Sequence, residues 1–496
     1  MKFIFLFLII ILNFSNCWNQ DSKNPPEAVK GVIDLRNWDF NSKNNSRDNI
    51  IHLKGEWEFY WKKLCNPISI DKNNNSLKTN CFPTENDYLK VPGNWDRYIS
   101  EGKEIGGKGF ASYRLKVLLP PNFLEPLEIK IPNIGTAYNF WVNGELLGNA
   151  GIVSEIEDQG KMGHFPKVYL IQSKNFLKSE NDQNYFNLQV DISNYHYYSG
   201  GFWYNVQLGN YNSVTTQMFY SELIDFLLMG SILLMGFYHI ILFVLRKQDP
   251  STFWLGLYCL PISIRMLLTG EKFLERHFPE YSQFFLFIEY LSLIFLVPIF
   301  LNFLYWLFPK LISNSLSKII TIGAYFLSLP IIILPSYYYT RILTIIQIYV
   351  IIAAILATNI LFKALITKKQ GAKIFFFGWI IFFIAIINDI LYFQGFIQTG
   401  EFTPVGLLLI IFSQTIVLSL RFTGAFSEVE NLSKELETIN KSLEKKISER
   451  TKDLQEASSE IEELNKFTYI VNSLSDLDEI FTEISKHVYY KYGISA

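Results

Sequence analysis

From Leu223 to Phe422 the chain is a succession of apolar runs broken by short polar stretches, and on either side of this block the period changes. Seven runs lie near 223–245, 251–269, 283–307, 316–335, 340–363, 373–396 and 402–422. Each is long enough to cross a hydrocarbon core of about 30 Å. Backbone N–H and C=O groups in lipid must satisfy one another, so each run is predicted to be a helix. Upstream, apolar positions alternate over short segments. Leu53, Trp57, Phe59 and Trp61 share one face of Ile51–Trp61, and Tyr113–Leu119, Leu127–Pro132, Val168–Gln172, Tyr185–Ile192 and Phe202–Leu208 read as further strands. Tyr138, Phe140 and Val142 alternate into Asn143-Gly144, a pair that accepts the positive φ of a tight hairpin turn. No segment here has useful helical periodicity. So many short strands predict a β-sandwich.

Downstream, apolar residues recur at Val429, Leu432, Leu436, Ile439, Leu443 and Ile447, then at Leu454, Ala457, Ile461 and Leu464. Steps of three and four predict a coiled coil over 424–466, and the extra step of four to Ile447 is a stutter. The segment directly extends the seventh run, so motion of that helix would pass into it. A plain dimerisation stalk is the alternative. After Lys466 the pattern changes again, and Ser475 is placed to cap a new helix.

Lys and Arg in the short connections set the expected topology. Arg246, Lys247, Lys310, Lys318, Lys363, Lys368, Lys369, Lys373 and Arg421 fall on one side, predicted to be cytoplasmic. Lys272, Arg276 and Arg341 fall on the other, beside Glu271, Glu275 and Glu280. The β-rich block then lies outside and the C-terminal tail inside. The N-terminus agrees: Lys2, the apolar stretch Phe3 to Leu12 and a small polar region ending at Cys17 read as an export signal over 1–17. Cys17 is either a lipidation site or lies beside a simple cleavage site or uncleaved anchor. Cys65 and Cys81, both in the exported block, are disulfide candidates, with two unrelated thiols as the alternative.

Composition narrows the class. Of 496 residues, 49% are hydrophobic and 18% charged, with 43 Phe and 28 Tyr, which excludes a soluble enzyme and a wholly disordered chain. A net charge of −2 excludes a compact nucleic-acid binder. No phosphate-cradling glycine loop, metal-spaced Cys/His set or nucleophile triad is present, so the sequence implies no cofactor, no metal and no catalytic constellation. His487 lacks the acidic residue and downstream proline of a kinase phosphoacceptor box, and His239 and Cys259 read as packed residues.

Two groups of residues carry candidate chemistry. Aromatic rings gather at Trp95, beside Asn94, and at His196-Tyr197-Tyr198 with Trp203-Tyr204. Rings flanked by polar groups, with Asn94 and Asn143 among them, suit a carbohydrate whose C–H faces stack while its hydroxyls take hydrogen bonds. The same rings would equally serve as the core of a large sandwich. Within the apolar runs, Asp225, Arg265, Glu289 and Asp389 lie at similar depth, where ionisable groups are costly unless they face partners or water. They read as one buried charge cluster, either a coupling element or interhelical glue.

A resemblance joins these pieces. Val91-Pro92-Gly93-Asn94-Trp95, Tyr113-Arg114 opening a strand and Val142-Asn143-Gly144 in a hairpin resemble the jelly-roll sugar-binding domain of family 2 glycoside hydrolases over residues 50–210. The same layout resembles the extracytoplasmic domain of bacterial seven-transmembrane receptors with diverse intracellular signalling modules (7TM-DISM). Glu449-Arg450-Thr451 beside the stutter resembles the signalling helix of such receptors, and Leu474 to Ile480 the opening helix of a GAF domain. The resemblance implies a multi-domain membrane protein: a signal peptide (1–17), an all-β jelly-roll sensor (18–215), a seven-helix transmembrane bundle (223–422), a coiled coil (424–466) and the start of a GAF-like domain (467–496). It further implies a homodimeric receptor of the bacterial inner membrane. Its partners would be an extracytoplasmic small molecule such as a carbohydrate and the lipid bilayer, and its output a nucleotide cyclase, kinase or phosphatase beyond residue 496. A membrane-bound carbohydrate-active enzyme and an envelope scaffold or transporter accessory protein are the competing expectations.

Overall fold

The computed structural model describes residues 25–41, 49–67, 69–70, 77–84, 87–100, 102–178, 183–393, 397, 399 and 402–493. The expected export signal, Cys17 included, lies outside them. Residues up to Val417 form one unit and Leu418–Ala496 another.

The first unit opens with twelve strands in two main sheets. They are β1 (Val32–Asp34), β2 (Ile50–His52), β3 (Gly55–Trp61), β4 (Tyr88–Val91), β5 (Gly109–Leu118), β6 (Leu127–Ile131), β7 (Ala137–Val142), β8 (Glu145–Ala150), β9 (Lys167–Ile171), β10 (Leu177–Lys178), β11 (Asn184–Asn194) and β12 (Gln207–Asn210). The larger sheet runs β8-β7-β11-β5-β3-β4, with β1 beside β5 and β10 beside β11; the smaller runs β9-β6-β12-β2. Alternation aims Trp57, Phe59, Tyr113, Leu115, Phe140, Leu188 and Val190 at Ile129, Ile171 and Leu208 across a continuous apolar core. The expected strand Ile51–Trp61 is two strands in different sheets, because the chain crosses between them at Leu53-Lys54. Asn143 and Gly144 turn the β7–β8 hairpin with φ of 48° and 87°, values that ordinary side chains resist and that this pair tolerates.

The other face of the larger sheet is polar yet covered. Cys65 and Cys81 are joined by a disulfide. The backbone carbonyls of Cys81 and Asn66 accept from the Arg114 guanidinium at 3.2 and 2.6 Å, and Cys65 O accepts from Gln189 at 2.8 Å. Asp191 accepts from Ser112 Oγ at 2.6 Å and Trp141 Nε1 at 2.8 Å. Each of these buried groups thus has a partner, which is the condition for burying them at modest cost.

Among the described residues, seven helices are long and apolar enough to cross a membrane. They are α1 (Ser213–Leu245), α2 (Pro250–Leu268), α3 (Ser282–Leu307), α4 (Asn314–Ile333), α5 (Leu343–Ile366), α6 (Ala372–Phe393) and α7 (Thr403–Ser473). α1 begins ten residues before its apolar run; the Glu128 carboxylate of β6 accepts from Thr215 N and Oγ1, both at 2.9 Å, and so caps its exposed N–H groups. α2 starts on Pro250, with Asp249 accepting from Ser251 N at 3.1 Å, the usual pairing of an Asx cap with proline at the first helical position. Cys259 and His239 are buried between helices, as expected of packed residues.

α7 runs unbroken through the stutter and through Glu449-Arg450-Thr451. There Thr451 Oγ1 donates to Ile447 O at 2.7 Å and Lys445 lies 4.0 Å from Glu449. Val429, Leu432, Leu436, Ile439, Leu443, Ile447, Leu454, Ile461 and Leu464 form an exposed stripe along it. A last helix, α8 (Leu477–Tyr492), folds back so that His487 stacks on Phe467 at 4.1 Å and Lys491 lies 3.5 Å from Glu463. Its cap is Asp476, which accepts from Asp478 N, rather than the expected Ser475, since Asp476 holds the extended backbone that precedes the first turn.

Candidate functional site

The loop His196–Tyr204 leaves the long strand β11 and does not return to either main sheet until Gln207. It lies across the ends of the membrane helices instead. Tyr197 and Tyr290 share a hydrogen bond between hydroxyls at 3.1 Å, and Tyr198 N donates to Thr340 Oγ1 at 3.0 Å. The Tyr204 ring packs 5.7 Å from that of Tyr392, and Gln283 contacts His196 at 3.2 Å. Trp203 turns inward, 4.6 Å from Tyr197 and edge-on to His164 at 4.8 Å. Of the rings expected to hold a sugar, those of the 196–204 loop thus form the seam between β-sandwich and helix bundle.

Charged groups complete the seam. Lys130 Nζ of β6 donates to both carboxylate oxygens of Glu271 at 2.7 Å. His164 N donates to Glu275 Oε1 at 2.9 Å. Lys272 Nζ lies 3.2 Å from Glu275 and 3.5 Å from Glu289, while Arg265 donates to the Glu289 backbone carbonyl at 2.6 Å and lies 3.9 Å from its carboxylate. Arg276 pairs with Glu222. Burial works against the Lys272 cation, but Glu275 and Glu289 outweigh it and hold its pKa above the ordinary value. The His164 imidazole is pushed well below its ordinary pKa, by burial first and by Lys272 second. It is therefore neutral here.

The four intramembrane residues do not form one cluster. Arg265 and Glu289 meet, and Lys272, which lies outside the apolar runs, joins them. Asp225 lies to one side, in a small cleft with Glu222, Thr269, Glu271 and Lys272. Asp389 does something else: its two oxygens accept from Phe402 N at 2.7 Å and Thr403 N at 2.9 Å, so a residue of α6 caps the start of α7. Sequence reasoning missed Lys130 and His164 because each is single, polar and far from its partner in the chain, and it read Lys272 and Glu275 only as flanking charges, although they pair three residues apart.

The remaining ligand candidates separate. Trp95 is wholly buried against Trp61, Tyr113 and Phe59, and its Nε1 donates to Gly107 O at 3.0 Å, so it offers no face to a ligand. Asn143 is spent on the fold: its Oδ1 accepts from Asn187 N at 2.8 Å and its Nδ2 donates to Asn175 O. Asn94 alone remains exposed, where it lines an open cleft of about 610 Å³ with Leu89, Arg97, Tyr98 and Ile99. The Tyr98 ring is held edge-on against Phe59 at 4.9 Å, which fixes one wall of that cleft.

Solved structures similar to part of this chain include a GH2 β-galacturonidase from Eisenbergiella tayi (13% identity, 32% of this chain, 24% of that chain, TM-score 0.21). Others are a β-glucuronidase from Ruminococcus gnavus (14%, 32%, 28%, 0.22) and a β-glycosidase from Bacteroides vulgatus (17%, 32%, 20%, 0.21). The chain spans about a quarter of the length of these enzymes, and at such TM-scores the likeness carries no argument. No curated protein matches. The family model described as 7TM diverse intracellular signalling matches residues 221–421, the stretch that holds all seven apolar runs. Residues 221–421 of this chain are thus similar to the 7TM diverse intracellular signalling family, and the seven apolar helices agree with that match.

Proposed function

We propose that the chain is a transmembrane receptor whose β-sandwich faces away from the cytoplasm, binds a small polar molecule in the Asn94 cleft, and passes the event through the seam to α7. The observation that carries this reading is the seam itself. β6, the His164 segment and the 196–204 loop grip four elements of the membrane unit (α3, α6 and the short turns near Lys272 and Thr340), and Asp389 links one of these, α6, to the start of α7. A load on the sandwich therefore reaches the helix that continues into the tail. The Lys and Arg bias of the connections supports placement in a bacterial inner membrane with the sandwich outside and the tail in the cytoplasm. The exposed stripe from Val429 to Leu464 supports pairing with a second copy through a coiled coil.

The test is a chimera: a nucleotide cyclase fused after Leu464 and assayed in membranes against a panel of mono- and oligosaccharides. Output that changes with a sugar, and that loses the response in Asn94→Ala, supports the reading. Output that is constant under every condition sinks it. Compartment reporters at Trp95 and Leu436 test the orientation, and finding both on one side of the membrane overturns it.

A further inference from the structure

His164 sits at the centre of the seam with less than a tenth of its surface exposed, and among the described residues neither ring nitrogen has a hydrogen-bond partner. Leaving buried polar atoms unpaired costs free energy that a Phe or Leu in the same place would not incur. The packing around the ring is specific. From the sandwich, Trp203 meets it edge-on at 4.8 Å and Tyr197 lies 6.1 Å away. From the membrane side, Lys272 is the charge that bears on it, and the nearest carboxylate, Glu275, is committed to the His164 backbone N–H and to Lys272. Beyond these stand Glu289 and Arg265, Tyr290 on the Tyr197 hydroxyl, and Asp225, Glu222 and Glu271, which share a cleft with Lys272.

We propose that the seam is a proton-sensing site in which His164, on taking up a proton, releases the β-sandwich from the short helix that carries Glu275. In the closed seam a protonated ring would have two N–H donors with no acceptor and a lysine cation beside it. In an opened seam the same ring meets water and comes within reach of Glu275, freed of its present bonds. The closed arrangement holds fewer protons than the open one, so acid favours opening. The effect sets in as pH falls through the ordinary histidine value of about 6.5, and the open fraction rises about fivefold over the first unit below it, approaching roughly tenfold per unit further down.

This proposal rests on the receptor reading only for its consequence, a second stimulus that acts on the same linkage. The experiment is hydrogen exchange on the full chain in lipid nanodiscs at pH 7.5, 6.5 and 5.5, without sugar, corrected for the intrinsic pH dependence of exchange. The expected result is a loss of protection at 161–165 and 196–204 of about tenfold between pH 7.5 and 5.5, about fivefold of it below pH 6.5, abolished in His164→Gln. A wild-type profile that stays flat overturns the proposal whatever the variant does, and so does an equal slope in His164→Gln. Because no ligand or output is read, a flat profile leaves the chimera test standing. A silent chimera beside a steep profile leaves the proton site standing.

Discussion

Asp389 lies in the sixth apolar run, yet its carboxylate faces backbone N–H groups rather than a cation. Asp389→Ala should lower the unfolding free energy of the detergent-solubilised chain by about 1 kcal/mol, as loss of a helix cap does, with Asp389→Asn losing less because one acceptor oxygen remains. Wild-type stability in the alanine variant would remove the capping role. Tyr197→Phe deletes one hydroxyl from the pair with Tyr290 and should cost about 1 kcal/mol while leaving the ring packing intact. The test is a double-mutant cycle with Tyr290→Phe, in which strictly additive losses would mean the hydroxyls do not interact. That an ionisable residue stood at each of these depths was plain from sequence, since apolar runs make every exception visible. What each one faces was not. A carboxylate in lipid looks the same whether it meets an arginine or the start of the next helix, and Trp95 looks the same as a sugar platform or as core.

At the scale of elements, the signals that survived were the local ones. Asn143-Gly144 marked its hairpin because few other pairs accept that turn, and the seven helices followed from unbroken apolar length. Ile51–Trp61 split into two strands, and Phe202–Leu208 failed outright. Only Gly201-Phe202 and Gln207–Asn210 pair as strands, because Trp203 to Asn205 leave the sheet towards the bundle, a demand imposed by another domain and invisible in local alternation. α1 was also misjudged at its start, since hydropathy registers where lipid ends and not where a helix ends. Glu128→Ala removes the carboxylate that caps this overhang and should raise hydrogen exchange at 215–218 severalfold, whereas unchanged exchange would assign the cap elsewhere. The Cys65–Cys81 bridge closes a loop of 16 residues in sequence separation. Replacing both cysteines by serine should cost about 3 kcal/mol in the chain-entropy account, read by denaturant unfolding, and a loss near zero would show that the Arg114 and Gln189 bonds hold the loop unaided.

For the whole molecule, the tail decides the assembly. Its apolar stripe has no cover within the chain between Val429 and Leu464 among the described residues, and a second copy is the simplest partner. Leu436→Cys in membranes should cross-link to dimer under mild oxidation, whereas a cysteine at the charged position Lys434 should not. Equal yields at both positions would dismiss a specific seam.

The way the 196–204 loop is used has a practical corollary. A soluble fragment cut near residue 210 would strip Tyr197, Tyr198, Tyr204 and Lys130 of their partners, turning a fitted joint into a sticky wound. Ligand screens run on such a fragment would report aggregation and a displaced melting point before they reported recognition, so the protein has to be interrogated with its membrane half attached.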